Sequence, residues 1–158
     1  MPKREIAGIA ELQTLTGQEV AVSDWLEIAQ PRIDAFAEAT NDHQWIHVDT
    51  ERCKRESPFG TTIAHGFLTL SLISQFSYAT VGFRENFAMS LNYGCNKVRF
   101  MSPVKCGSRI RARFALVELT QIEGGWQGRW QVTIEIEGQQ KPACVAETLG
   151  RYYTSPPK

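Results

Sequence analysis

What this sequence has little of narrows its chemistry first. Its four cysteines, Cys53, Cys95, Cys106 and Cys144, are widely separated along 158 residues. Without a CxxC pair, neither a compact zinc knuckle nor a disulfide scaffold is expected, and four reduced thiols are. No charge of one sign prevails: 17 Lys and Arg balance 17 Asp and Glu, so the overall field attracts neither nucleic acid nor an acidic membrane surface. There is no run of 18 apolar residues, and the opening MPKREIAGIAELQTLTG lacks the apolar centre of a signal peptide. A soluble, cytoplasmic protein with no membrane insertion is therefore expected. A Gly-rich strand-to-helix phosphate cradle is also missing, and no His, Cys and carboxylate spacing marks a metal site, so neither a metal nor a dinucleotide cofactor is expected.

What is present is ordinary globular material, 42% hydrophobic and 22% charged, in a length suited to one domain. Residues 1–17 read as a helical extension, 18–154 as the domain itself and 155–158 as a frayed tail. Within the extension, Ile6, Ile9, Ala10 and Leu12 or Gln13 stand at near-helical spacing, which predicts a short helix over 5–15 closed by Gly17. Asp24 to Ile28 is expected to be a strand feeding Gln30-Pro31, with Pro31 at the first position of a helix PRIDAFAEAT. That helix should end at Thr40-Asn41-Asp42, whose short polar side chains compete for backbone hydrogen bonds. Asp42 and His47 are thus placed beyond a helix. Asp49 or Thr50 caps a short charged helix that Ser57-Pro58-Phe59-Gly60 closes.

The run from Ile63 to Ala79 carries two apolar faces, Ile63, Phe67, Leu70 and Ile73 on one and Leu68, Leu72 and Ala79 on the other, and predicts a largely buried central helix, with Gly82 as terminator. The second half changes period. Leu91 to Phe100 reads as a strand. Ile110, Ala112, Phe114 and Leu116 then alternate with Arg109, Arg111 and Arg113, and Trp130, Val132, Ile134 and Ile136 repeat the pattern. Turns fall at Glu123-Gly124-Gly125 and Gly138-Gln139-Gln140, and Ala143 to Tyr153 supplies a last strand. A helix apolar most of the way round must be covered, and so must a sheet wet on one face. The fold class is therefore α+β, a curved antiparallel sheet wrapped around one long helix. An exposed sheet edge also makes an edge-to-edge homodimer, or a higher homo-oligomer, a physically reasonable partner arrangement.

The chemistry concentrates between Phe36 and Gln75. Asp42 and His47 supply an acid-base pair, and Gly66 opens the central helix, where unpaired N–H groups and the positive end of the helix dipole would polarise a carbonyl. Read alone, Asp42 is more readily a helix-ending cap and His65 a buried histidine fixing the loop, while His47 is equally a surface histidine and Gly66 a close-packing residue. His43 lies in the same irregular segment with no assured direction. Strand alternation sends Asn92 and Asn96 one way and Lys97 and Arg99 the other; the latter two either meet phosphates or form a solvated face.

Asn41-Asp42-His43-Gln44-Trp45-Ile46-His47 and Ile63-Ala64-His65-Gly66 together are similar to two patterns, Gly-Asp-x-Asn-Pro-x-His and Ile-x-His-Gly, and the chain from Trp25 to Tyr153 resembles the MaoC-like, (R)-specific enoyl-CoA hydratase family of hot dog folds. Asn92 to Phe100, Ser102-Pro103-Val104 and Gly107-Ser108 fit its nodulation-protein-N-like branch more closely. The resemblance implies reversible addition of water to a trans-2-enoyl thioester on coenzyme A or acyl carrier protein, coenzyme A entering only as part of the substrate. It implies that Asp42 and His47 hold the water and that the Gly66 N–H receives charge developing on the thioester oxygen. His65, Ser74, Trp45, Asn92, Lys97 and Arg99 are the residues expected to assist or contact substrate. The chain departs from the pattern at Asn41, Gln44 and Trp45: asparagine tolerates a left-handed backbone less freely than glycine, Gln44 reaches one methylene further than asparagine, and Trp45 is expected to add bulk beside the pocket. Competing expectations are a thioesterase, since a carboxylate activates water for hydrolysis too, and a noncatalytic acyl-thioester-binding module.

Overall fold

The computed structural model describes residues 3–155; residues 156–158 of the expected tail lie outside it. The chain runs β1 (Arg4–Ile6), α1 (Ile9–Thr14), β2 (Glu19–Val22), β3 (Leu26–Glu27), α2 (Gln30–Thr40), α3 (Trp45–Val48), α4 (Thr50–Glu56), α5 (Gly66–Thr80), β4 (Val81–Phe83), β5 (Met89–Phe100), β6 (Arg109–Ile122), β7 (Gly125–Ile136) and β8 (Cys144–Tyr153). Strands β2, β6, β7, β8 and β5 form an antiparallel sheet in that order, with β3 also on β6. This is the expected α+β hot dog arrangement, a curved sheet around one long helix.

The alternation of β6 and β7 is the cause. Ile110, Ala112, Phe114 and Leu116 pair across the strands with Ile136, Ile134, Val132 and Trp130, and all eight are buried. Opposite them, on the wet face, Arg109 meets Glu137, Arg111 and Arg113 share Glu135, and Arg113 reaches Glu19. These partly exposed pairs add little stability each; the apolar face carries the fold, at about 1.5–3 kcal/mol for each large aliphatic side chain removed from water. The hairpin between the two strands needs glycine twice. Gly124 turns with φ +74°, and a Cβ on Gly125 would stand 2.1 Å from the Tyr152 carbonyl oxygen.

Several expectations change. Residues 4–6 pair in parallel with β4 instead of joining a helix, so the helix expected over 5–15 begins only at Ile9. Its first amide is capped from 76 residues away, Ile9 N–H donating to Glu85 Oε2 at 2.9 Å. The strand expected over 24–28 shrinks to β3, and Glu19–Val22, whose mixed spacing hid it, forms β2. Helix α5 starts at Gly66, not Ile63, and stops at Thr80 without Gly82, which lies inside β4. It is buried on one face only, by Leu68, Thr69, Leu72, Phe76 and Thr80, while Phe67 and Tyr78 are 68% and 74% exposed and Ala79 is exposed as well. No helix among the described residues is long and apolar enough to cross a membrane.

Candidate active site

Helix α2 ends on Asn41, held left-handed at φ 56° and ψ 25°, and this reversal carries the chain into Asp42. Contrary to expectation, His47 lies within a helix, the single turn α3, and its ring is 7% exposed. The Nδ1–H of His47 donates to the Ile63 carbonyl oxygen at 2.7 Å, which leaves Nε2 as the basic nitrogen. Ile63 N–H in turn donates to the Ile46 carbonyl at 3.0 Å, so the two segments grip each other on both sides of the ring.

His65, the residue before α5, is 3% exposed. Its Nε2–H donates to the backbone carbonyl of Asp42 at 2.9 Å and stands 3.9 Å from Asp42 Oδ2. Its ring stacks on His47, centroids 3.7 Å apart and planes 25° apart, with Phe36 tilted against it at 5.0 Å. The Asp42 carboxylate is about half exposed, so the cluster opens to solvent on the aspartate side. Burial pushes the His47 imidazole below its ordinary pKa; the Ile63 hydrogen bond opposes this, His65 adds to it, and the Asp42 charge opposes it. The His47 imidazole is therefore biased towards its neutral form.

A carboxylate oxygen of Asp42 and one ring nitrogen from each histidine lie within 4.8 Å of one another. Three such donors suggest a metal, but the two imidazoles lie nearly face to face, so their in-plane lone pairs do not converge on one ion, and His65 Nε2 is committed to a carbonyl. The span instead suits one water molecule bridging two hydrogen-bonding groups.

Gly66 is the first residue of α5, and its amide has no acceptor within the helix. A Cβ there would lie 3.1 Å from three ring carbons of Phe100, which explains glycine at this crowded start. His43, by contrast, is turned away onto Glu38 at 2.7 Å. Trp45 lies beneath the Arg52 guanidinium, 4.2 Å from its ring centroid, and so packs towards α4. Ser74 and Asn92 line a cavity of about 350 Å³ between α5 and the β5–β8 side of the sheet, walled also by Leu70, Phe114, Trp130 and Tyr152. Asp42, His47, Gly66, Trp45, Lys97 and Arg99 are not part of its wall. Two register shifts in β5, at 92–94 and 95–97, break the expected alternation. As a result Asn96 donates to Glu147 at 2.7 Å, on the face opposite buried Ala146, while Asn92 meets the cavity. Lys97 and Arg99 are exposed.

Sequence reasoning missed Gln30 and Thr62. The Gln30 amide donates to the His47 carbonyl at 2.7 Å and accepts from the Thr62 hydroxyl. A lone glutamine before a proline carries no signal for that contact, which closes across 32 residues.

Residues 11–137 match the family described as MaoC like domain. The chain is 46% identical over 153 residues to 3-hydroxyacyl-thioester dehydratase Z of Mycobacterium tuberculosis, covering 94% of this chain and 98% of that one. This chain belongs to the MaoC-like dehydratase family. Within it, nodulation protein N of Rhizobium leguminosarum is 49% identical over 143 residues, covering 89% and 88% of the two chains. Among solved structures, the R-hydratase PhaJ1 of Pseudomonas aeruginosa superposes with a TM-score of 0.71 at 20% identity, over 89% of this chain and 83% of that one; at that identity the likeness speaks for the fold. In this MaoC-like chain two of the three motif departures are accommodated locally. Asn41 fills the left-handed position and Trp45 is held by Arg52, while nothing in the structure explains glutamine at position 44.

Proposed function

We propose that this protein is an (R)-specific hydratase/dehydratase that adds water reversibly across the double bond of trans-2-enoyl thioesters carried on coenzyme A or acyl carrier protein. The observation that carries the reading is the buried, neutral His47, its Nδ1 committed to Ile63, with a ring nitrogen within 4.8 Å of an Asp42 carboxylate oxygen and its ring stacked on His65, the residue before α5. In the forward direction Asp42 and His47 hold the water, and His47 takes one of its protons as the oxygen bonds to C3; that proton is the one returned to C2. The electron pair of the double bond moves towards the thioester oxygen, where the Gly66 N–H stabilises the developing charge, and a proton is then delivered to C2. One water is consumed and no redox change occurs. The names of the curated relatives, a hydroxyacyl-thioester dehydratase among them, support the same class.

The acyl chain follows α5. Leu70, one turn past Gly66 and so about 6 Å along the axis, already belongs to the cavity wall, and Ser74 and Asn92 lie further in. Lys97 and Arg99, exposed on β5, are available to carrier phosphates. In the proposed functional form two copies join along β5.

The test is an assay with trans-2-enoyl-CoA of several chain lengths. Loss of enoyl absorbance without free thiol is expected, and Asp42→Asn or His47→Ala should lower kcat by at least ~100-fold in protein that remains folded. Thiol release without hydration would make the protein a thioesterase. Saturable binding without turnover would make it a binding module.

A further inference from the structure

We propose that Gln30 is a positioning residue for the His47 base, its one side-chain amide clamping together the two chain segments that grip the imidazole. Gln30 opens α2, and its Nε2 donates to the His47 backbone carbonyl at 2.7 Å and to Asp34 Oδ1 at 2.7 Å. Its Oε1 accepts from Thr62 Oγ1 at 2.5 Å. Thr62 is 1% exposed, and its own carbonyl is occupied by the Cys106 N–H at 2.9 Å, so this residue is anchored to the body of the protein. The next residue, Ile63, supplies the carbonyl that takes the His47 Nδ1–H.

The consequence is geometric. The backbone of His47 and the acceptor for its ring lie on two separate segments, 44–48 and 61–64. Gln30 contacts both, and the Ile63 N–H to Ile46 bond runs alongside. With the clamp closed, the Ile63 carbonyl stays in reach of Nδ1–H, and Nε2 keeps both its lone pair and its aim. With the clamp open, α3, a single turn with few hydrogen bonds of its own, is free to shift relative to residues 61–64. The imidazole then exchanges tautomers, and the share of molecules with a basic Nε2 facing Asp42 falls. Outer partners that fix the tautomer of a metal-binding histidine are worth about 10- to 100-fold in activity, and an effect of the same order is expected here. Asp34 holds the amide in the orientation that presents nitrogen to the His47 carbonyl.

This inference rests on the hydratase reading for its kinetic arm and not for its spectroscopic one. Gln30→Met keeps size and removes the hydrogen bonds; Thr62→Val removes one of them; Thr62→Ser restores the hydroxyl. Expected for Gln30→Met is a fall in hydration kcat of about 10- to 100-fold with KM within about twofold and an undiminished folded fraction. Thr62→Val should fall in the same direction by less, and Thr62→Ser should return to within about twofold of wild type. In ¹⁵N-edited spectra of the imidazoles, wild-type His47 should show a single Nδ1–H tautomer, and Gln30→Met an exchange-averaged or Nε2–H one. An unchanged tautomer in Gln30→Met overturns the clamp whatever the kinetics. So does a raised KM at intact kcat, which would make Gln30 a substrate contact, or a Thr62→Ser variant no better than Thr62→Val. If wild-type protein hydrates nothing, the hydratase reading fails alone and the tautomer measurement still decides the clamp.

Discussion

A histidine that is to take a proton from water must begin without one, and the surroundings of His47 keep it so. Burial is the first cause of its lowered pKa, and the groups around it are few. Asp42 faces it from the turn after α2 and His65 from the start of α5; Asp49, two residues on, caps the Arg52 N–H, and Asp34 and Glu38 on α2 are engaged by Gln30 and His43. Two pH effects follow. As the proposed base, His47 works while unprotonated, so the acid limb of kcat/KM should lie below the ordinary imidazole value of 6.5. As a contributor to stability, its folded pKa is depressed. Above pH 6.5 it is neutral folded and unfolded, and between 6.5 and the lower folded value the unfolded chain binds the extra proton, so stability is lost as pH falls. Urea unfolding at pH 8 and pH 5 should show wild type losing more stability than His47→Gln over that interval, and the ring proton of His47 should titrate with a midpoint below 6.5. A midpoint at or above 6.5 contradicts both effects.

At the scale of the element, the join between α2 and α3 decides where Asp42 stands, and Asn41 is its hinge. It is the one non-glycine residue among those described with positive φ, at the end of a helix where a left-handed residue satisfies the last turn. Asparagine occupies that region at small cost; alanine does so at about 1–2 kcal/mol. Asn41→Ala should therefore lower unfolding free energy by about 1 kcal/mol, seen as a drop in Tm of roughly 2–4 °C for a chain of this size, whereas Asn41→Gly should stay within about 0.5 kcal/mol of wild type. Equal losses in both would mean that the side-chain amide, not the backbone conformation, is what matters. The motif departure at this position was legible as a departure, but the left-handed backbone it serves was not, because φ is not written in the residue. The long strands were readable for the opposite reason: with one face dry and the other wet, β6 and β7 print their period-2 pattern directly, arginines against isoleucines. Helix α3 is one turn and too short for any period to show, so His47 reads as loop. The contact of Gln30 with Thr62 depends on how two distant segments pack, and no local pattern encodes it. The two apolar faces of α5 were both visible, yet hydrophobicity alone does not say which one meets the sheet.

At the scale of the molecule, the face of α5 that does not meet the sheet asks for an explanation. Phe67 and Tyr78 protrude from it, and Leu91, Tyr93, Phe100 and Met101 are exposed in and just after β5. Strand β5 is the long outer strand, paired along one side to β8 and, among the described residues, unpaired along the other. A twelve-residue edge without a covering helix, flanked by aromatic side chains, is a template for another strand. A second copy placed antiparallel along β5 satisfies the backbone of both edges by one operation, as two-fold contacts do. It would also roof the cavity, because Tyr78, Leu91 and Asn92 belong at once to its wall and to this surface. Purified protein at tens of micromolar is therefore expected to sediment at about twice the 17.8 kDa chain mass. Phe67→Asp combined with Leu91→Lys, both at exposed positions, should leave the circular dichroism spectrum intact, shift the protein to the monomer and reduce hydration of long-chain enoyl thioesters more than that of short ones. A wild-type monomer at these concentrations would remove the dimer. A monomeric double variant with unaltered chain-length preference would show that one chain alone encloses the acyl group, and the apolar face of α5 would then need another partner.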